Sequence, residues 1–269
     1  MKKILKAVTL SAAVLALAAC GNEEDDNKLV VGAATGVHDI ILEKAAPILE
    51  EEGIILEIKP YTEYVMPNQD LESGDLDANY FQHVPYLEKQ IEDHGYDFVS
   101  AGGIHVEPMG IYSSKHDSIE DIPDGGTIII SNSVADHGRV LALLEAQGLL
   151  KLKEGIDKSK ATLDDIVENP KNLKIDAESN PEMLVQYLNN DEGDAIVINS
   201  NFIIDAGLNP SKDSIAIEGS ESNYVNIIAV RSEDKDNKAI KKLVEVLQSK
   251  EIQDFILEEW DGNVVPVTK

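Results

Sequence analysis

GDLDANYF (residues 74–81) and GDAIVINSNF (residues 193–202) each set a Gly-Asp turn signal ahead of an apolar run of strand length. Such a run between turn residues reads as a buried strand. The segments ahead of the two stretches match in kind. Before the first come KLVVGAA (28–34), a strand, and Asp39 to Glu52, a helix with apolar residues at Ile41, Leu42, Ala45, Ile48 and Leu49 and a stop at Gly53. ILEIKPY (55–61), a strand, and NQDLESG (68–74), a short helix, complete that set. Before the second come TIIISNS (127–133), a strand, and DHGRVLALLEAQG (136–148), a helix that stops at Gly148. LKIDAES (173–179), a strand, and PEMLVQYLNNDEG (181–193), a helix with Pro181 at a first position, follow. The chain thus carries two β-α-β-α-β units about 117 to 119 residues apart. Alternating strands and helices predict parallel sheets covered on both faces. The expected fold class is α/β, in two lobes with a ligand cleft between them at the carboxyl ends of the strands.

The tail, YVNIIAV (224–230) and an amphipathic helix around Asn237 to Trp260, has to return to the first lobe. That predicts a discontinuous lobe 1 of residues 28–113 and 231–269, a lobe 2 of residues 114–230, and crossovers near Ser113 and Val230.

At the N-terminus Lys2, Lys3 and Lys6 precede the apolar run Ala7 to Ala19, which is shorter than the roughly 20 residues a membrane span needs. It reads as a cleavable signal segment, residues 1–19. The run ends at Leu17-Ala18-Ala19-Cys20, directly before the one cysteine of the chain, which has no partner for an internal disulfide. GNEEDDN then reads as a solvated tether to residue 27. The formal net charge is −27, and removal of the leader deletes three lysines and no acids. So acidic a chain is a poor nucleic-acid binder, and a tethered, soluble monomer is expected. No second long apolar segment follows the tether.

Only 5% of the residues are aromatic, yet Tyr80, Phe81, His83 and Tyr86 crowd into seven positions at the end of the third strand. Phe81, His83 and Tyr86 there are either core or the wall of a site for an apolar, polarisable group. The matching strand of the second unit ends in Asn199-Ser200-Asn201, which offers amide donors and acceptors instead. Arg139, one of two arginines against 21 lysines, lies in the first turns of the helix opening lobe 2, where its fork suits a carboxylate. His38, His83 and His105 lack the spacing of a zinc site, and each reads more readily as a polar residue near the cleft than as a metal ligand. Asp75 and Asp77 lie at a strand start, where solvation or capping accounts for them. No nucleophile elbow, zinc-protease motif, Walker loop or dinucleotide fingerprint is present in the sequence.

Taken together, NYFQHVPYL (79–87), HVEPMGIYS (105–113), ENPKNLKI (168–175) and YVNIIAV resemble the methionine-binding lipoproteins of ABC importers, the MetQ/NlpA family. LAAC resembles a lipobox, which implies cleavage before Cys20, lipidation of its sulfur and an extracytoplasmic protein held at the cell membrane. The family resemblance implies a type II periplasmic-binding-protein fold that closes on methionine, L- or D-, without cofactor, metal or covalent change. It also implies docking on a membrane permease with a cytoplasmic ATPase. Carried over by motif, Tyr64, Phe81, His83, Tyr86 and His105 form the side-chain pocket, Arg139 binds the α-carboxylate, and Asn199 and Asn226 fix the polar end. Two motifs depart from the family. A Pro-Asn-Asp stretch with an Asn three residues before the Arg is here Ser131-Asn132-Ser133 and Asp136, and a pattern close to TPxPHAE is here ATGVHDI, keeping His38. An acid at 136 competes for the guanidinium or recognises a second cationic group, which leaves room for a different amino acid or a methionyl peptide as the ligand. The sequence also admits a surface hydrolase, a zinc-trapping lipoprotein that uses His83 and His105, and an adhesion or signalling lipoprotein.

Overall fold

The structure, a computed structural model, describes residues 27–219, 222 and 224–267. The expected signal segment, Cys20 and all of the tether except Asn27 lie outside the described residues. The first unit comprises β1 (Lys28–Ala34), α1 (His38–Glu51), β2 (Ile55–Tyr61), α2 (Met66–Ser73) and β3 (Ala78–His83), followed by α3 (Val84–His94) and β4 (Phe98–Val106). β5 (Gly110–Tyr112) leads into the second unit: β6 (Thr127–Ser131), α4 (Val134–Ala146), the antiparallel pair β7 (Lys151–Leu152) and β8 (Ile166–Glu168), β9 (Lys174–Ser179), α5 (Leu184–Asn189) and β10 (Ala195–Ile198). α6 (Ser200–Asp205), α7 (Pro210–Asp213) and β11 (Ala216–Ile217) complete that half; β12 (Val225–Arg231), α8 (Lys238–Leu247), α9 (Lys250–Glu259) and β13 (Val265–Pro266) close the chain. The single helix expected around 237–260 is therefore two. Ser249 caps a fresh start by accepting the Ile252 N–H, which ends α8 and redirects the chain into α9.

Two sheets carry these strands, a six-stranded one in the order β13-β4-β12-β3-β1-β2 and a five-stranded one in the order β11-β5-β10-β6-β9. In each, the three strands of the repeated unit pair in parallel, β3-β1-β2 and β10-β6-β9. The remaining pairings are antiparallel, so both sheets are mixed, not purely parallel as expected. The cause is an exchange: β5 and β12 each arrive from the opposite half and lie antiparallel beside β10 and β3.

That exchange also corrects the crossovers, which the sequence reading put near Ser113 and Val230. β5 already pairs with β10, and β12 pairs with β4 from Val225 onward, so residues 110–113 belong with the second sheet and 225–230 with the first. Pro108 explains the first shift. It has no N–H to continue a ladder, so β4 ends at Val106 and the chain changes sheet across Glu107–Met109. The second crossover lies between Ile217 and Val225.

Alternation of side chains gives each sheet two apolar faces. In β12, Ile228 and Val230 pack with α1, α8 and α9, whereas Ile227 and Ala229 pack with α2 and α3. In β10, Ala195 and Val197 join the core under α4, whereas Ile196 and Ile198 join Leu184 and Ile203 of α5 and α6. An aspartate at equivalent positions pins the parallel strands. Asp77 Oδ2 accepts the Val30 N–H at 2.7 Å and Asp194 Oδ2 accepts the Thr127 N–H at 2.7 Å. The counterpart of Asp194 is thus Asp77 rather than Asp75, and its role is structural.

Candidate ligand-binding cleft

The cleft is assembled from strand ends and from the first turns of the helices that follow them. In the first half β3 delivers Phe81, Gln82 and His83, α3 adds Tyr86, the loop before α2 adds Tyr64, and the first turn of α1 adds His38. In the second half α4 presents Asp136 and Arg139, and β10 runs out into Asn199, Ser200 and Asn201. Glu107 and Asn226 complete the lining of a cavity of about 30 Å³. A chamber of about 290 Å³ lies beside it and shares Tyr64 and Tyr86 as walls.

Tyr64 is the hub of the aromatic side. Its ring centroid lies 5.8 Å from Phe81, 6.1 Å from Tyr86 and 5.0 Å from Phe202, in the range of favourable tilted and edge contacts. Its hydroxyl crosses between the halves to donate to Asn201 Oδ1 at 2.7 Å. Burial, reinforced by the charges of Glu107 and Asp136, pushes the Tyr64 phenol well above its usual range, so it stays a donor. Gly36 allows the halves to meet this closely. A Cβ there would fall 2.9 Å from Cβ of Asp205 in α6, and its φ of +92° favours glycine in any case.

A buried polar cluster stands behind the rings. Tyr80 meets His105 Nδ1 through its hydroxyl, and His105 Nε2 lies 2.7 Å from Glu107 Oε1. His38 Nε2 lies 3.3 Å from the same oxygen and 3.1 Å from Asn226 Oδ1. Burial lowers His38 to about 4 against the opposing pull of Glu107, which keeps its imidazole neutral at pH 7. Burial also works against the charge of Glu107, but the imidazoles of His38 and His105 and the Arg139 guanidinium hold its carboxyl below the ordinary range. His38, His105 and Glu107 offer donor atoms within 4.8 Å of one another, a set whose chemistry suits zinc, though His105 and Glu107 share a hydrogen bond here. His83, which a zinc trap would use together with His105, bonds instead to Asp136. His105 itself is a correction: it is 0% exposed and does not line the pocket that the resemblance assigned it to. Two residues apart on an extended segment, His105 and Glu107 share a face, and it is Glu107 that reaches the cavity.

Arg139 is held from three sides. Its Nε donates to Glu218 Oε2 at 3.0 Å and its Nη2 to the same oxygen, while Nη2 also donates to the Glu107 carbonyl at 2.7 Å. The guanidinium lies 4.6 Å from the centroid of the Tyr224 ring. Glu107 belongs to one crossover, and Glu218 and Tyr224 to the other, so both connections between the halves grip one side chain. Among the described residues Nη1 has no acceptor. Gly138 seats the helix, since a Cβ there would come within 2.5 Å of the carbonyl oxygens of Lys158 and Ser159.

Asp136 does not compete for that guanidinium. Its Oδ1 lies 2.9 Å from His83 Nε2, in a hydrogen bond that spans the halves. His83 Nδ1 accepts the Tyr86 N–H, so the proton of the ring resides on Nε2 and is donated to Asp136. Burial disfavours the charge of Asp136, but the bond to His83 and the nearby Arg139 hold its carboxyl below the usual range.

Of the residues singled out in the sequence, Tyr64, Phe81, His83, Tyr86, Arg139, Asn199 and Asn226 converge on one cavity. Gln82 and Glu107, also on the lining, and Glu218 and Tyr224, which hold Arg139, were not foreseen as site residues. Glu107 could have been found from HVEP, where an acid directly precedes the proline that ends the strand. Glu218 had no local signal, because its partner is 79 residues away.

The family model for NlpA lipoprotein matches residues 29–268. A Bacillus subtilis protein named methionine-binding lipoprotein MetQ is 44% identical over 100% of both chains. A nutrient binding protein from Burkholderia cenocepacia, solved bound to methionine, is 41% identical with a TM-score of 0.83, covering 88% of this chain and 99% of its own. An ABC transporter periplasmic substrate-binding protein from Coxiella burnetii is 37% identical with a TM-score of 0.83, covering 89% of this chain and 100% of its own. The two-lobed periplasmic-binding-protein fold expected from the sequence is the fold these proteins share, and the chain belongs to the NlpA lipoprotein family.

Proposed function

We propose that this protein is the substrate-binding lipoprotein of an ABC importer and that it captures methionine and hands it to a membrane permease. One observation carries the reading: an aromatic wall from one half and an arginine with an amide edge from the other line the same cavity. Phe81, Tyr64 and Tyr86 suit a thioether side chain, whose burial contributes roughly 1.5 to 3 kcal/mol. Arg139 takes the α-carboxylate through Nη1, which has no acceptor among the described residues, and Asn199 and Asn226, which line the cavity, hold the polar end. The names of the Bacillus and Burkholderia relatives support the ligand, and that of the Coxiella relative supports the importer.

The work of the protein is opening and closing, with no covalent change to the ligand. A cavity of about 30 Å³ has room for about two waters and not for an amino acid, so entry requires the halves to part where His83 meets Asp136 and Tyr64 meets Asn201. The crossovers at Glu107–Met109 and between Ile217 and Val225 act as the hinge, and ligand favours the closed state by binding it more tightly. Among the described residues no helix is long and apolar enough to cross a membrane. Lipidation of Cys20 supplies the anchor, outside the cytoplasm; a Cys20→Ser variant with unchanged membrane fractionation and unchanged processed mass would disprove it. The function is tested with the full chain purified in detergent. Native and denaturing mass spectrometry identifies retained small molecules, and calorimetry measures methionine binding. Retained or newly bound methionine is expected; a protein that ignores methionine and carries another ligand overturns the substrate.

A further inference from the structure

Asp136 and Arg139 lie three residues apart on α4 and therefore share a helix face, and both line the cavity. An acid and a base at this spacing ordinarily pair with each other. Here they do not, because Glu218 and the Glu107 carbonyl hold Arg139 from one side while His83 holds Asp136 across the cleft. Among the described residues Asp136 accepts only that one hydrogen bond, although a carboxylate has room for about four. The Ser133 hydroxyl is near but makes no hydrogen bond of acceptable geometry. A carboxylate that is 1% exposed and has unfilled acceptor positions beside a cavity calls for a cationic donor from within the cavity.

We infer that Asp136 is the receptor for the ligand's α-ammonium, so that Asp136 and Arg139 together read the two charged groups on one α-carbon. This rests on the proposed binding of an amino acid and deepens it. It makes a free, protonated α-amine a requirement: α-amino acids enter, while N-acylated and hydroxy analogues are rejected. The bond to His83 and the nearby Arg139 hold the Asp136 carboxyl below its usual range, which supports this reading, since its carboxylate keeps its charge under ordinary conditions. An asparagine at this place would offer a dipole where Asp136 offers a full charge.

The test is calorimetry on the full chain with two nearly isosteric probes, methionine and 2-hydroxy-4-(methylsulfanyl)butanoate, which replaces the ammonium by a hydroxyl. Wild-type protein is expected to prefer methionine by about 30-fold, the scale of one charged hydrogen bond. In Asp136→Asn the preference should shrink to a few-fold, through weaker methionine binding rather than stronger analogue binding. Asp136→Ser, which removes the carboxyl with little bulk, serves in the same way if the asparagine variant does not fold. A wild-type preference that survives both substitutions overturns the inference, as does wild-type protein that binds the two probes equally. Failure to bind methionine at all sinks the proposed function instead, so the two failures are distinguishable.

Discussion

The strands β3 and β10 occupy the same place in their sheets, follow the same Gly-Asp signal and are pinned by equivalent aspartates, yet they end in opposite chemistry. β3 ends in Phe81, Gln82 and His83 and feeds a helix that brings Tyr86; β10 ends in Asn199, Ser200 and Asn201. The scaffold is repeated and the site is not. A repeated unit needs its apolar alternation and its pinning aspartate to fold, whereas the residues at the cavity end of each strand line the cleft and are free to differ. The end of β3 with α3 therefore supplies surface for an apolar group, and the end of β10 with α4 supplies charge and hydrogen bonds.

The sharpest break of that comparison is Arg139→Ala. It removes the charged anchor of the second half and leaves Glu218 without its cation, so methionine affinity in calorimetry should fall at least 100-fold. A loss of less than tenfold would mean that the aromatic half alone carries recognition. Next in size is the buried cluster of the first half, probed by pH. Folded His38 binds its proton only below about 4, while the unfolded chain binds it below about 6.5. Between those values the unfolded state holds the extra proton, so stability falls as pH drops through that window, by on the order of 3 kcal/mol. Thermal melting from pH 7 to 4 should show this slope, and His38→Gln should flatten it. Glu107 and Asp136 act in the same direction at lower pH, because the unfolded chain again holds the extra proton: their contribution is present above pH about 4 and is lost on further acidification.

A smaller pair of changes compares the two strand ends directly. Phe81→Ala should cost methionine binding roughly 1.5 to 3 kcal/mol, and Asn199→Ala about 1 kcal/mol. Equal losses would erase the division of labour between rings and amides. The smallest expected effect is that of Gly36→Ala, which puts a methyl where the halves touch and strains a positive φ by about 1 kcal/mol. Small-angle scattering should then show less compaction with ligand, and unchanged compaction would remove Gly36 from the closure.

The two repeated units were legible because each element carried its own local signal: a period of two or 3.6, a Gly stop, a Pro at a first position. The helix stop at Gly74 was read correctly because an αL residue there is a local requirement, met at φ +84°. What failed was non-local. The crossovers were misplaced because strand partners are set by ladder hydrogen bonds between residues far apart, and Pro108 was the only nearby clue. His105 was assigned to the pocket because a motif says which residues travel together but not which of two residues on the same face reaches the cavity.

From its sequence alone this chain determines its class, its internal repeat, its acidity and the family whose motifs it carries, since all of these follow from residue type and spacing along one strand or helix. Tertiary structure decided that Arg139 is held by both crossovers, that Asp136 turns to His83 rather than to the arginine three residues away, and that Glu107 rather than His105 reaches the cavity. Those outcomes depend on which charged groups are brought within hydrogen-bond distance from opposite halves, and that distance is a property of the closed fold.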